Sequence, residues 1–297
     1  MGKVAPVTVI CVTYNSGSVL PGILSSLRDG MAGTSWDLIV VDNNSDDGSV
    51  GTVRSLAPYA TVIEAPHNRG FAAGVNRGLQ RTSAERAVLL VNPDTRLHEG
   101  SVARLVAELR NPSVGIVAPR LLEEDGSTFP SLRREPSLLR ALGAAFLGER
   151  RAGRVPFLGE VIVGTRAYRR ARDVAWAGGA VLLLAPGLTE RIGLLDESFF
   201  LYSEEADLAL RARDAGFRVR YQPEAVATHI GGESTTSPEL YRLLMANKLR
   251  LYARRHPGWR ARLYRRLLLL HQRLRAFRDG MSRHGVDALC DRSLLDG

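Results

Sequence analysis

Residues 87–95 read A-V-L-L-V-N-P-D-T, and this run decides the fold. Five apolar residues lead straight into Asn92-Pro93-Asp94. The run has strand length and is apolar on both faces, as a strand buried inside a parallel sheet should be. Pro93 has no N–H to give the ladder, so the strand stops there. Asp94 is therefore delivered to the carboxyl end of a central strand, the edge where open α/β sheets bind ligands. A carboxylate in that position is a candidate ligand for a hard cation, and through it for a phosphorylated substrate. A turn or helix-cap aspartate is the competing explanation.

The same alternation extends outward from this segment. Val7–Thr13 reads as a first buried strand, Asp37–Val41 as a second and Thr61–Glu64 as a short third. Helices are expected over Val19–Arg28, Asn68–Gln80 and Ser101–Arg110, with Asn111-Pro112 ending the last of these. Gly115–Ala118 is a further strand, Ala175–Ala185 resumes the core, Glu204–Ala215 is a helix and Phe217–Tyr221 a strand. Strand–helix alternation of this kind argues for βαβ units in an α/β fold. Glu123–Asp173 is irregular and rich in Arg, Gly and Pro, and is expected to be a long, partly mobile connection.

Of the 297 residues, 45% are hydrophobic, enough for a sizeable core. The net charge of +9 is uneven: residues 240–278 hold twelve Lys or Arg and no Asp or Glu, so the rest of the chain is mildly acidic. Cys11 and Cys290 offer neither a disulfide framework nor a Cys/His metal cluster, and Cys11 reads as a small buried hydrophobe. No apolar run approaches the ~20 residues that span a bilayer, and no signal peptide is evident. A cytoplasmic protein is the expectation.

Four motifs can carry chemistry. Asp42-Asn43-Asn44-Ser45-Asp46-Asp47-Gly48-Ser49 follows a strand; it suits a tight turn, and an Asp there can also accept from a nucleobase or a ribose, with Thr13-Tyr14-Asn15 beside it. Asn68 to Gly78 spaces Gly70, Gly74 and Gly78 on one helical face for close packing, while Asn68 and Arg69 could meet a diphosphate at the helix start. Glu204, Glu205 and Asp207 open a helix after Phe199, Phe200 and Tyr202; they are ordinary helix-start acids or include a general base. Asp207 and Arg211 read as an i,i+4 ion pair. His229 gains interest from Asp94, because a metal on a carboxylate often recruits an imidazole.

Together these pieces resemble the family 2 glycosyltransferases of the GT-A fold, with likeness to a rhamnosyltransferase branch. The matching stretches are V12-T-Y-N-S16, V41-D-N-N-S-D-D-G-S49, N68-R-G-F-A-A-G-V-N-R-G78, N92-P-D94, A177-G-G-A180, F199-F-L-Y-S-E-E-A-D-L208 and H229, in that order over residues 5–235. The resemblance implies an α/β, Rossmann-like mixed sheet and inverting transfer of a sugar from a nucleotide-diphospho donor to a hydroxyl of a glycan or polyprenyl-linked saccharide. It favours dTDP-rhamnose, with another UDP- or GDP-sugar or a non-catalytic homologue as alternatives. It assigns Asp42 to the nucleobase, helped by Thr13 and Asn15, and Asn44 to the ribose. Asn68, Arg69, Asn76 and Asn92 join the donor site, and Gly178 and Gly179 line the sugar. Asp94 and His229 would hold Mg²⁺ or Mn²⁺. Glu205 takes the base position, where this branch commonly has Asp. Asn92 stands where many such enzymes have a first metal-binding Asp, so the metal is expected to bind well only with the donor diphosphate.

The implied domains are a catalytic domain over 1–237, a basic helical appendage over 238–280 and a tail over 281–297. Amphipathic helices are expected over Pro238–Arg255 and Trp259–Phe277, split by His256-Pro257-Gly258. Their apolar side (Leu240, Leu243, Leu244, Leu251, Trp259, Leu263, Leu267, Leu270, Leu274 and Phe277) and their arginines suit either packing on the body or docking on an anionic membrane. No nucleic-acid motif is present.

Overall fold

The computed structural model describes residues 6–231, 237–277 and 280–291. The chain forms two compact units. The first takes the residues up to Ser131, Tyr168–Phe200 and Glu204–Ile230; the second takes Leu132–Ala167, Leu201–Ser203 and the residues from Gly231 onward.

The strands of the chain are β1 (Val7–Thr13), β2 (Trp36–Asp42), β3 (Thr61–Glu64), β4 (Ala87–Val91), β5 (Thr95–Leu97), β6 (Val114–Leu122), β7 (Leu132–Arg133), β8 (Arg172–Val174), β9 (Trp176–Ala177), β10 (Val181–Leu184) and β11 (Arg218–His229). All but the two-residue β7 and β9 build one nine-stranded sheet in the first unit. Its order is β3-β2-β1-β4-β10-β6-β11-β5, with β8 added on β11. The four strands from β3 to β4 are parallel, and β10 runs against both β4 and β6. β6 and β11 therefore run with β1, and the carboxyl ends of β1, β2, β4 and β11 share one edge.

Local chemistry explains these elements. Every residue of β1 and β4 is buried, as their unbroken apolar runs require. Helix Leu20–Gly30 buries Leu20, Ile23, Leu24 and Leu27, one stripe of a 3.6-residue period. Helix Phe71–Leu79 lies flat on β1 because Gly74 and Gly78 carry no side chain. A Cβ on Gly74 would sit 2.5 Å from Val12 Cγ1, and one on Gly78 2.7 Å from Ile10 Cγ2. The close-packing role read from the glycine spacing holds for Gly74 and Gly78, whereas Gly70 stands before the helix as its N-cap.

Two features of the sheet exceed the sequence expectation. β11 is twelve residues long, reaching His229 past an irregular register between Gln222 and Val226. β5, just after Asn92-Pro93-Asp94, pairs antiparallel with β11 and sets His229 opposite Thr95. Three residues are too short a run for sequence periodicity to reveal.

The second unit corrects two expectations. Glu123–Asp173 is not an irregular connection throughout: helix Leu138–Leu147 lies within it, capped by Ser137 Oγ accepting from Arg140 N. Met281–Cys290, expected within a tail, is helical. Leu289 is fully buried there, and a Cβ on Gly285 would sit 2.8 Å from Gln272 Oε1. A central glycine and few apolar residues hide that helix from pattern reading. Residues 292–297 lie outside the described residues.

Helices Pro238–Arg255 and Trp259–Ala276 fall where expected, separated at Gly258 with φ +75°. Tyr241, Met245, Leu249, Tyr252, Tyr264, Leu268 and Leu289 form their shared core, which Ala141 joins. The rings of Tyr252 and Tyr264 stack at 3.8 Å. The C-terminal helices thus share a core with residues before 168, which the expected 238–280 appendage did not foresee. Leu251 of the expected apolar side is buried, whereas Trp259, Leu263, Leu274 and Phe277 are exposed.

Candidate active site

The carboxyl edge of the sheet in the first unit gathers most of the predicted residues. On one side, the loops after β1 and β2 are stitched together by hydrogen bonds. Asp42 is buried; its Oδ1 accepts from Thr13 Oγ1 at 2.9 Å and Ser45 Oγ at 2.6 Å, and its Oδ2 accepts from Ser45 N at 2.8 Å. Asp47 Oδ2 accepts from Gly17 N, and Oδ1 from Ser49 N and Oγ. The Ser49 hydroxyl leads in holding the Asp47 carboxyl below its usual range. Asn15 and Asn44 adopt left-handed backbone, φ +48° and +66°, which Asn tolerates better than most residues. Asn15 N donates to Ser45 Oγ, and Asn15 Oδ1 accepts from Asp46 N. Thr13, Asn15, Asp42 and Asn44 therefore stand together, as expected.

Across β1, β4 ends at Val91 and the chain turns through Asn92-Pro93-Asp94. Asn92 N donates to Ala180 O, and Asn92 O accepts from Thr95 N and Oγ1. Asp94 Oδ2 lies 3.3 Å from His229 Nε2. Asp94 Oδ1 is buried and has no hydrogen-bond partner among the described residues. An unpartnered buried carboxylate oxygen beside an imidazole is a chemical fit for a divalent cation. Among the described residues no cluster of three or more His, Cys, Asp or Glu could hold a metal by itself. Cys11 lies beneath: burial first, then the nearby Asp94, pushes its thiol up to about 12, so it stays protonated and acts as a small apolar residue.

The third element is helix Glu204–Asp214. A Cβ on Gly179 would lie 3.3 Å from Glu205 Cβ and Cγ, so the glycine pair of Ala177-Gly178-Gly179-Ala180 borders the predicted base. Glu204 is buried, and burial together with the adjacent Glu205 pushes its carboxyl well above the usual range. Asp207 and Arg211 form the expected i,i+4 pair at 2.7 Å. Arg211 also donates to the carbonyls of Ile192 and Leu194, tying the helix to the loop before it.

Asn68 Oδ1 accepts from Gly70 N, and the Arg69 guanidinium pairs with Glu197 at 3.2 Å. Asn76 needs correction. It is buried; its amide nitrogen donates to Leu195 O and Glu197 Oε1, and its oxygen accepts from Leu195 N. Both amide hydrogens are used, which makes Asn76 a brace for residues 195–197 rather than a donor contact.

Sequence reasoning names Ser45, Asn43 and Gly70 within motifs but misses the contacts they make. Ser45 supplies two of the three donors on Asp42. Asn43 is buried and donates to Gly70 O at 2.9 Å. Gly70, at φ +88°, lets Phe200 O come so close that a Cβ would sit 2.0 Å from it. Phe71 N donates to that same carbonyl at 2.8 Å. Ser45 and Asn43 are visible as turn residues, but their long-range partners are not.

The mixed Rossmann-like sheet with acids at its carboxyl edge is a GT-A-type fold. Residues 8–172 match Glycosyl transferase family 2, and the chain belongs to that family. It is 30% identical over 270 residues to N-acetylglucosaminyl-diphospho-decaprenol L-rhamnosyltransferase of Mycobacterium tuberculosis, covering 84% of this chain and 85% of that protein. It is 26% identical over 212 residues to the low-salt glycan biosynthesis hexosyltransferase Agl10 of Haloferax volcanii, covering 69% and 61%. In fold it is similar to the mannosyltransferase PcManGT from Pyrobaculum calidifontis, solved with GDP-Man and Mn²⁺. That likeness has a TM-score of 0.61 and 17% identity, over 96% of this chain and 74% of the other.

Proposed function

We propose that the chain is an inverting, metal-dependent glycosyltransferase that moves L-rhamnose from dTDP-rhamnose to a hydroxyl of a lipid-linked saccharide during cell-surface polysaccharide synthesis. The observation carrying the catalytic part is the meeting, in one unit, of Asp94 with His229 and of Glu205 with Gly179. The donor and the polyprenyl-linked acceptor rest on the 30% identity to the mycobacterial rhamnosyltransferase.

The chain's residues divide the work. Asp42, preset by Thr13 and Ser45 and helped by Asn15, accepts from the nucleobase, while Asn44 lies toward the ribose. Asp94 and His229 would hold Mg²⁺ or Mn²⁺, which when bound offsets charge on the departing diphosphate. Two protein donors are a thin shell for a hard cation, so a metal held there would need further oxygen ligands from the bound donor. Asn68, Asn92 and Arg69 stand on the phosphate side, and Gly178 and Gly179 leave room for the sugar. Glu205 takes the proton from the acceptor hydroxyl. The hydroxyl oxygen forms a bond to the anomeric carbon as the carbon–oxygen bond to the diphosphate breaks, and the nucleoside diphosphate leaves from the opposite face.

Glu205→Gln removes the base and keeps the shape. Transfer should fall about 10²–10⁴-fold with donor affinity retained. Wild-type turnover in that variant rules Glu205 out as the base. A donor screen by thermal shift, with and without Mn²⁺, tests the sugar: stabilisation by dTDP-rhamnose over UDP- and GDP-sugars is expected, and the reverse order overturns that donor.

The second unit adds membrane docking to the proposal. Among the described residues no helix is long and apolar enough to cross a membrane. Trp259, Leu263, Leu274 and Phe277 are exposed beside exposed Arg260, Arg262, Arg266 and Arg273, a composition suited to an anionic lipid surface where a lipid-linked acceptor resides.

A further inference from the structure

Helix Leu138–Leu147 has two unlike faces. Ala141, Gly143 and Ala145 are buried. Leu139, Leu142 and Phe146, at i, i+3 and i+7, share one face and are exposed, Phe146 by 68%; Gly143, four residues after Leu139 and three before Phe146, lies on that same side and is buried beneath Leu158, whereas Ala141 and Ala145 face the other way. Leu147 is exposed as well. No acidic residue lies in this helix.

The chain then doubles back on itself. Helix Glu149–Ala152 follows at once, and the returning turn packs against the first helix at Gly143, where a Cβ would sit 2.2 Å from Leu158 O. Arg140 Nε and Nη2 both donate to Pro156 O at 3.3 Å. This closure sets Phe157, 59% exposed, against the same short helical hairpin. Arg150, Arg151 and Arg154 are exposed between the two apolar parts. Five exposed large apolar side chains within residues 139–157, rimmed by three exposed arginines, exceed the scattered surface hydrophobics of an ordinary monomer.

We infer that the hairpin over residues 138–157 is the element that inserts into an anionic bilayer, with Leu139, Leu142, Phe146, Leu147 and Phe157 entering the acyl boundary and Arg150, Arg151 and Arg154 meeting lipid phosphates. The inference rests on the membrane reading above and sharpens it by moving the apolar contact away from the C-terminal helices. Charge complementarity selects the occupant. A second copy of this chain would bring the same three arginines into mutual repulsion, whereas anionic headgroups neutralise them. Exposed apolar side chains bordered by cations are also what an interfacial helix presents to lipid.

Flotation of the full-length chain with phosphatidylglycerol vesicles tests this. One variant carries Leu142→Glu, Phe146→Glu and Phe157→Glu; a second carries Trp259→Glu, Leu263→Glu and Phe277→Glu. All six positions are exposed, and circular dichroism checks that both variants stay folded. The hairpin variant should lose roughly tenfold or more of the vesicle-bound fraction, with the C-terminal variant close to wild type. Wild type should bind neutral phosphatidylcholine vesicles far less, and its binding should weaken with salt. Loss confined to the C-terminal variant overturns the hairpin inference and leaves the membrane reading standing. No wild-type binding to phosphatidylglycerol removes both. A wild-type dimer that the hairpin variant converts to monomer, with vesicle binding unchanged, overturns the inference in favour of self-association.

Discussion

Asp42 and Asp94 close neighbouring parts of one sheet edge, with β1 between their strands, yet they are built in opposite ways. Asp42 is saturated: three protein donors fix both of its oxygens before any ligand arrives. Asp94 is left open, with one oxygen beside His229 and the other buried without a partner among the described residues. A buried carboxylate oxygen lacking a partner costs about 1–3 kcal/mol, so the fold keeps Asp94 at the expense of stability. Under the proposed function, the difference separates a rigid recognition wall from a reactive position completed by its ligand. Such trade-offs concentrate at functional sites.

The comparison can be broken from either end. The largest effect should come from Asp94→Asn, which removes the open charge: transfer falls by about 10²–10⁴-fold while thermal stability stays equal or rises. A large loss of stability with activity retained would make Asp94 a structural residue. Asp42→Asn should act in reverse, on stability first. An amide NH₂ would face the donors of Thr13 and Ser45, leaving buried hydrogens unpaired, at about 1–3 kcal/mol by denaturant unfolding. Unchanged stability there would show that the Asp42 network is not built into the fold.

Glu204→Gln should have a smaller, pH-dependent effect. The folded carboxyl of Glu204 is raised well above its unfolded value, so its contribution to stability is full at low pH. That contribution is lost as pH rises from the usual carboxylate range through the raised folded value. Glutamine cannot ionise, so the variant should gain a few degrees in Tm at pH 8, roughly 2–5 °C, and little near pH 4. A uniform shift across pH would mean that Glu204 is not buried as a neutral acid.

What the sequence made legible follows from range. Asp94, Glu205 and the loop at Asp42 sit where strands stop and helices start, and short-range punctuation marks those places. The parallel strands β1, β2 and β4 are equally plain, because strands buried on both faces write continuous apolar runs. The role of Asn76 is hidden because its partners, Leu195 and Glu197, lie more than a hundred residues away. Nothing local distinguishes an amide that braces a loop from one that binds a phosphate. The hairpin at 138–157 is hidden in the sequence because its helix is short and its apolar residues are divided between burial and exposure.

The direct test of the central claim is calorimetric titration of Mn²⁺ into the full chain, with and without dTDP. Asp94 and His229 alone should bind the ion weakly. Saturating nucleotide should tighten binding by at least about tenfold, a coupling of ~1.4 kcal/mol, and Asp94→Asn should abolish that gain. Tight Mn²⁺ binding without nucleotide, or an unchanged gain in the Asp94→Asn variant, would contradict the account.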